Sequence, residues 1–317
     1  MKKIFILFLL ICVSASGIVY RWVTENGPSE VESSIVVSRG ESVKSVAQDM
    51  KAARIIDKPW LFVLSARLKK IDRRLRAGEY LFPKQISLLG ALEKIAKGDV
   101  YYRKVTLSDG LTVKQMYDII NSNEYLTGEI TVPAKEGSML PETYSFIRGD
   151  TRNSVVIQAK KAMKKVVDEA WEYNLNPSLK NKKDILILAS IIEKETSIAD
   201  ERRIVSSVFS NRLKKGMRLQ ADPTIIYAIT DGYGVLGRKL TKPDMKMESP
   251  YNSYLYAGLP PTPICNPGKA SIEAATNPED TKFLYFVADG EGGHSFSQDY
   301  GKHQENIKTW VKKIRSK

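Results

Sequence analysis

Cysteine and histidine are nearly absent from this chain: of 317 residues, two are cysteines and two are histidines. Cys12 lies in an apolar segment near the amino terminus and Cys265 far from it, so no intrachain disulfide is plausible and thiol content says nothing about redox compartment. His294 and His303 build neither an HExxH motif nor a Cys/His cluster, which argues against a catalytic zinc centre of the usual kinds. Zinc-finger spacing, an RNP-like aromatic box and a Gly-rich phosphate loop are also missing. The reading therefore expects no metal, no cofactor and no nucleic-acid partner.

What the chain has is positive charge and one long apolar run. The formal charge is +13, densest over residues 67–76 with smaller runs at 160–165 and 312–317. Such a balance suits anionic partners such as lipid or an acidic wall polymer, and any single run also reads as a solvated basic face. Met1-Lys2-Lys3 precedes an unbroken apolar stretch from Ile4 to Tyr20, about 17 residues, at the short end of what spans a bilayer. Ser14-Ala15-Ser16 would suit a signal peptidase. Apolar residues resume at Ile18-Val19-Tyr20, however, and Trp22 sits where an interfacial aromatic would, so an uncleaved anchor is favoured, its lysines cytoplasmic and the rest of the chain outside. Ile11 stands where a lipid-attachment Cys12 would need a small residue.

After a Gly- and Pro-bearing linker over 25–34, the pattern predicts a compact βααβα unit. Its parts are a strand at Ile35, a helix capped at Ser42 with Val43, Val46, Ala47 and Met50 on one face, a helix from Pro59 to Leu68, a strand from Gly78 to Phe82, and a helix capped at Ser87. Gly40-Glu41-Ser42-Val43 followed by Val46-Ala47 is similar to the opening of LysM-type glycan-binding modules, and a generic α/β spacer is the alternative. Further on, helices are predicted after Thr112, over about 152–173 with Val155, Val156, Ala159, Met163 and Val166 inward, and over the segment that buries Ile204, Val208 and Leu213 and ends at Gly216.

Asp184-Ile-Leu-Ile-Leu-Ala-Ser-Ile-Ile-Glu-Lys-Glu-Thr196 is an apolar run of helical length ending in two carboxylates. At about 100° per residue, Leu188, Ile192, Ile185, Ile191 and Ile187 all lie within about 80° of Glu195, whereas Glu193 lies opposite, at about 160°, with Ser190. Glu195 is thus aimed along the buried face and Glu193 reads as solvated. A glutamate at an apolar edge loses solvation, its pKa rises, and it becomes suited to general-acid work. Geometry alone leaves a second reading open, in which Glu195 pairs with Arg202 or Arg203 or caps the next segment. Beyond Gly216 come long irregular loops rich in Pro, Asn and Tyr, among them Leu219–Thr224 and Ser249–Tyr254, whose side chains suit sugars. A strand at Phe283–Ala288 then enters a turn carrying His294, either a ligand-facing donor or a structural residue.

Together, Leu188-Ala-Ser-Ile-Ile-Glu-Lys-Glu-Thr196, Val208-Phe-Ser-Asn-Arg-Leu213, Met217-Arg-Leu-Gln-Ala-Asp-Pro-Thr224, Tyr251-Asn-Ser-Tyr254, Gly258-Leu-Pro-Pro261, Asn266-Pro-Gly268 and Tyr285-Phe-Val-Ala-Asp-Gly290 through His294 resemble the endolytic murein transglycosylases (the MltG or YceG-like family). Glu142 and Thr262 depart from the family's usual Asp and Gly. The resemblance implies an α+β architecture in four parts: a transmembrane anchor over 1–24, the linker over 25–34, a LysM-like subdomain over 35–100, and a catalytic domain over 101–317 with its glutamate on a buried helix. It implies a lytic transglycosylase that cuts the MurNAc-GlcNAc β-1,4 bond of nascent peptidoglycan glycan strands, leaves 1,6-anhydro ends and so sets strand length. It implies a single-pass inner-membrane location with the catalytic part on the periplasmic face, penicillin-binding synthases as partners, and Glu195 as the catalytic residue. Candidate substrate-binding residues are Gln220, Asp222, Tyr251, Asn252, Tyr254 and His294, with Asp222 also readable as a turn residue before Pro223. The competing expectations are a lysozyme-like hydrolytic muramidase using Asp222 or Glu193 as second carboxylate, and a wall-binding scaffold without chemistry.

Overall fold

The computed structural model describes residues 2–71 and 75–315, without the side chains of Lys2, Lys3, Phe5, Leu7, Phe8 and Cys12. Parts of the amino-terminal reading and of the basic runs at 67–76 and 312–317 therefore lie outside the described residues. Mixed α+β structure is what the chain adopts, in two compact units: Met1–Arg103 with Ser145–Asp150, and Lys104–Tyr144 with Thr151–Lys317.

The first unit opens with helix α1 (Lys2–Thr24) and continues as β1 (Ser33–Val37), α2 (Val43–Ala52), α3 (Pro59–Leu68), β2 (Gly78–Phe82) and α4 (Leu88–Lys97). The predicted βααβα order is the observed one because its local signals agree. Ser42 and Ser87 accept backbone N–H groups at the starts of α2 and α4, Pro59 begins α3, and Gly98 ends α4 with φ +64°. β1 and β2 pair antiparallel, Ile35 opposite Tyr80, and their inner faces join Val46, Met50, Phe62, Phe82, Leu92 and Ile95 in one core. Two expectations change. The linker at 25–34 is held in place: Gly27 donates to the Gln85 carbonyl, Gln85 to that of Ser29, and a Cβ on Gly27 would meet the Ile86 carbonyl oxygen at 2.2 Å. Polar composition signalled a linker, but backbone bonding decides. As for the anchor, α1 forms over 23 residues, yet among the described residues no helix is long and apolar enough to cross a membrane.

The second unit contains α5 (Val113–Asn121), α6 (Arg152–Glu172), α7 (Lys182–Glu195), α8 (Arg202–Lys214), α9 (Asp222–Thr230), α10 (Lys269–Thr276), the hairpin β5 (Tyr285–Ala288) and β6 (His294–Ser297), and α11 (Tyr300–Arg315). Strands β3 (Arg103–Thr106) and β4 (Thr143–Phe146) lie where the chain passes between the units, and the Thr106 and Thr143 hydroxyls meet at 2.9 Å. At the centre runs α7, packed by α6, α8, α9 and α10. Its one-sided reading is therefore corrected. Ser190, placed on the solvated side by the wheel, is fully buried; it donates to the Ile187 carbonyl and accepts the Ile264 N–H at 3.0 Å. Glu193 is half-buried and accepts the Gly268 N–H at 3.0 Å, so it fastens the start of α10. A helix covered all round loses the polar face that an amphipathic wheel assumes.

In α6 it is Val167 that is buried, with Val166 at the margin; in α8 Val208 is buried as expected, and Val205 and Phe209 join it in place of Ile204 and Leu213. Of residues 219–224, read from composition as loop, Asp222, Pro223 and Thr224 form the first turn of α9.

Candidate active site

Asn181 caps α7, its side-chain oxygen accepting the N–H groups of Lys183 and Asp184 at 2.9 and 3.1 Å. From there the chain stays helical to Glu195, and extended Thr196 stops it. Glu195 is thus the last helical residue, its backbone held by the core cluster containing Leu188, Ile191 and Ile192. Burial first, and then the negative charge of Asp222, push its carboxyl up to about 8 against the opposing charge of the Arg212 guanidinium. Among the described residues no side-chain hydrogen bond engages that carboxyl, which leaves both its O–H donor and its acceptor oxygen available to a ligand.

Asp222 opens α9. It stands in the first turn, where a helix favours negative charge, and its carboxylate accepts the Tyr254 hydroxyl at 2.7 Å. Burial, and then this carboxylate, push the Tyr254 phenol well above its ordinary range, so it remains a donor. The turn delivering Asp222 is strained: Gln220 has φ +51°, a conformation costing a non-glycine residue about 1 kcal/mol or more. It is held by Gln220 N–H on the Ser253 carbonyl at 3.0 Å and by Ala221 N–H on the Ser253 hydroxyl at 2.9 Å. The Gln220 side chain is exposed.

Arg212 had no assigned role in the sequence. It is 7% exposed, and its guanidinium donates to the carbonyls of Leu284 at 2.7 Å and Leu219 at 2.6 Å while lying 5.3 Å from the Tyr285 ring centroid. One side chain from α8 therefore ties the turn before Asp222 to β5 and supplies the positive charge facing Glu195. The available signal was an arginine spaced three and seven residues from Phe209 and Val205 on an otherwise buried helix face. A buried charge must be paired.

The remaining candidates are spread around this group. Asn252 is wholly buried; its amide donates to the Met245 and Met247 carbonyls at 3.1 and 2.8 Å and its oxygen accepts the Tyr254 N–H at 2.9 Å. That places it inside the loop presenting Tyr254. Tyr251 meets Tyr227 at 5.0 Å and shares a 2.7 Å hydrogen bond with Thr262, so the hydroxyl at that unusual position is used. The Nδ1 of His294 lies 2.6 Å from Glu201, whose other oxygen accepts the His294 N–H, and the Thr196 hydroxyl reaches the same carboxylate at 3.4 Å. His294 is thereby linked to the residue after Glu195 through Glu201.

An open cleft of about 590 Å³ is lined by Lys194, Pro223, Ile226, Tyr227, Val235 and Lys239, the first two being chain neighbours of Glu195 and Asp222, which do not themselves line it. Near Tyr227, Glu136 accepts the Val113 N–H with both oxygens at 3.1 Å, and burial pushes it up to about 7. It is positioned by Gly137, whose φ of +76° and close approach to Pro263 (2.6 Å from a notional Cβ) leave no room for a side chain. Among the described residues no group of three or more His, Cys, Asp or Glu side chains is arranged to hold a metal ion.

Fold and site together define a mixed α+β protein whose second unit holds, at the end of a core helix, a carboxyl pushed up to about 8 with a second carboxylate, Asp222, near enough to raise it. The chain belongs to the YceG-like family, which it matches over residues 35–309. An endolytic murein transglycosylase of Bacillus subtilis is 27% identical over 315 residues, covering 89% of this chain and 86% of its own length. The endolytic murein transglycosylase of Streptococcus pneumoniae (strain D39) is 25% identical over 363 residues, covering 96% of this chain, which spans 64% of that longer protein. The crystal structure of a YceG-like protein from Listeria monocytogenes superposes with a TM-score of 0.55 at 26% identity, over 87% of this chain and 99% of that one.

Proposed function

We propose that this chain is a lytic transglycosylase of murein: it cleaves the MurNAc-GlcNAc β-1,4 bond within peptidoglycan glycan strands and leaves 1,6-anhydro ends. The observation that carries this reading is Glu195, the last residue of a core helix, whose carboxyl burial and the neighbouring Asp222 push up to about 8. A single glutamate serves twice. Protonated, it donates to the glycosidic oxygen leaving the muramic sugar. As carboxylate, it then takes the proton of that sugar's own 6-hydroxyl as the oxygen closes on the anomeric carbon. The nucleophile is tethered, so no water needs to be positioned and proximity lowers the barrier. Asp222, oriented by Tyr254, lies where its negative charge steadies the developing oxocarbenium ion, with Gln220 and Tyr251 as further sugar contacts and Asn252 and His294 supporting their loops.

Digestion of purified peptidoglycan by the full chain and by Glu195→Gln, read by mass spectrometry, tests this. The wild type should yield 1,6-anhydro ends and the variant none; anhydro products from Glu195→Gln would refute the assignment. The closeness of Asp222 favours one second reading, hydrolysis with Asp222 as base or nucleophile, and reducing ends would establish it.

The wider reading rests on less. The apolar run from Ile4 to Tyr20 with the two lysines before it supports a single-pass inner-membrane anchor with the rest of the chain on the periplasmic face. The βααβα order of the first unit supports a LysM-like glycan-binding role. Control of strand length and contact with penicillin-binding synthases follow from family resemblance.

A further inference from the structure

Helix α3 has two apolar faces. Leu61, Phe62 and Ala66 are buried in the core of the first unit. Trp60, Leu64 and Leu68, four residues apart and so on one stripe, are 56%, 47% and 76% exposed. The stripe adjoins α1. Trp60 meets Trp22 edge to face at 6.4 Å, and Leu68 joins Ala15, Val19 and Val23 of α1 around an open groove of about 540 Å³. Nor does protein cover α1, where Ile11, Val13, Ile18 and Tyr20 are all at least half exposed. The border of this apolar surface is basic: Arg67, Lys69 and Lys70 are exposed where α3 ends, and the Lys58 ammonium sits 5.3 Å from the Trp22 ring. An apolar stripe alone would suit many partners. Paired tryptophans with a basic rim, continuous with a long exposed apolar helix, match the headgroup boundary of an anionic bilayer.

We propose that α3, with the adjoining face of α1, docks the first unit on the surface of an anionic bilayer, seating Trp60, Leu64 and Leu68 at the acyl boundary and setting Arg67, Lys69 and Lys70 against lipid phosphates. This is a contact additional to any spanning by α1, and it does not depend on the enzymatic reading.

The full chain, in a Cys12→Ser background and reconstituted into vesicles, tests it through an environment-sensitive dye on Leu68→Cys. Cys265 is fully buried and its thiol is held well above the ordinary range, so it does not compete for label. In equimolar phosphatidylglycerol–phosphatidylcholine vesicles the dye should shift to the blue and be quenched by nitroxide-bearing lipid, several-fold more than in phosphatidylcholine alone. A dye on Lys51→Cys, exposed on α2, should stay water-like. Leu64→Asp should cut quenching at position 68 severalfold without lowering the melting temperature, and Arg67→Gln/Lys69→Gln/Lys70→Gln should abolish the preference for anionic lipid. The proposal is overturned if position 68 stays water-like in both vesicles while a dye on Ile11→Cys is quenched, since α1 alone would then meet lipid. It is equally overturned if the dye is already blue-shifted without vesicles and indifferent to lipid quenchers, which would show that a second copy covers the stripe.

Discussion

Replacing Glu195 with glutamine should make the protein inactive and, at neutral and alkaline pH, more stable. The carboxyl ionises near 4.5 in an unfolded chain and at about 8 in the fold. Between those values the folded state holds a proton that the unfolded state has released, so stability falls as pH rises and stops falling above about 8. Each pH unit costs about 1.4 kcal/mol, which makes the burden of an ionisable group at this site about 3 kcal/mol at pH 7 and about 5 kcal/mol above pH 8, as upper bounds. Glutamine keeps the shape and carries no charge. For a unit of this size, 1 kcal/mol moves the melting temperature by about 2–4 °C, so Glu195→Gln should melt higher than wild type at pH 7, by at most roughly 6–12 °C, and close to it near pH 5. Thermal melts of both proteins across this range, followed by circular dichroism, give the difference curve. A variant that is less stable at every pH, or more stable by a constant amount, would refute the placement of Glu195 in a desolvated site. In the proposed general-acid role the same carboxyl would set the activity: cleavage should decline as pH rises through about 8, because the protonated acid is lost.

Further outcomes follow from the neighbours of Glu195. Asp222→Asn removes the charge that raises Glu195, so the alkaline limb of the activity profile should move to lower pH. Arg212→Met leaves the Leu219 and Leu284 carbonyls without their donor and should cost about 3 kcal/mol in denaturant unfolding, moving the limb of any residual activity to higher pH because the opposing charge is gone. Asn252→Ala breaks two donated bonds and one accepted bond inside the loop; a loss of about 2–3 kcal/mol is expected, with activity falling along with it through the displaced Tyr254. Glu193→Leu should destabilise by about 1–2 kcal/mol through the freed Gly268 N–H, while enzyme kept folded at low temperature still forms its usual products.

Local signals made much of this protein legible from residues alone. Caps, a helix-starting proline and period-matched apolar positions determined the βααβα unit, because each acts within one or two turns of chain. The wheel selected Glu195, yet its reason was incomplete: α7 is covered on every side, and Ser190 and Glu193 on its supposed outer face are bonded to residues 264 and 268. No pattern within α7 reports neighbours that arrive some 75 residues later.

The sequence by itself settled which carboxylate ends the apolar helix, and the family's motifs carried the reaction class. Only tertiary structure decided how that carboxyl is tuned. Asp222 was readable as a turn residue until α9 and the Tyr254 hydroxyl oriented it, Arg212 was one basic residue among 49 lysines and arginines, and Asn252 looked like a sugar contact until its amide was found spent inside its own loop. The physical reason is range. Capping and periodicity act between near neighbours in the chain, whereas desolvation and Coulomb interaction act through space, and the charges that tune Glu195, Asp222 raising it and Arg212 lowering it, come from different helices that only folding brings together.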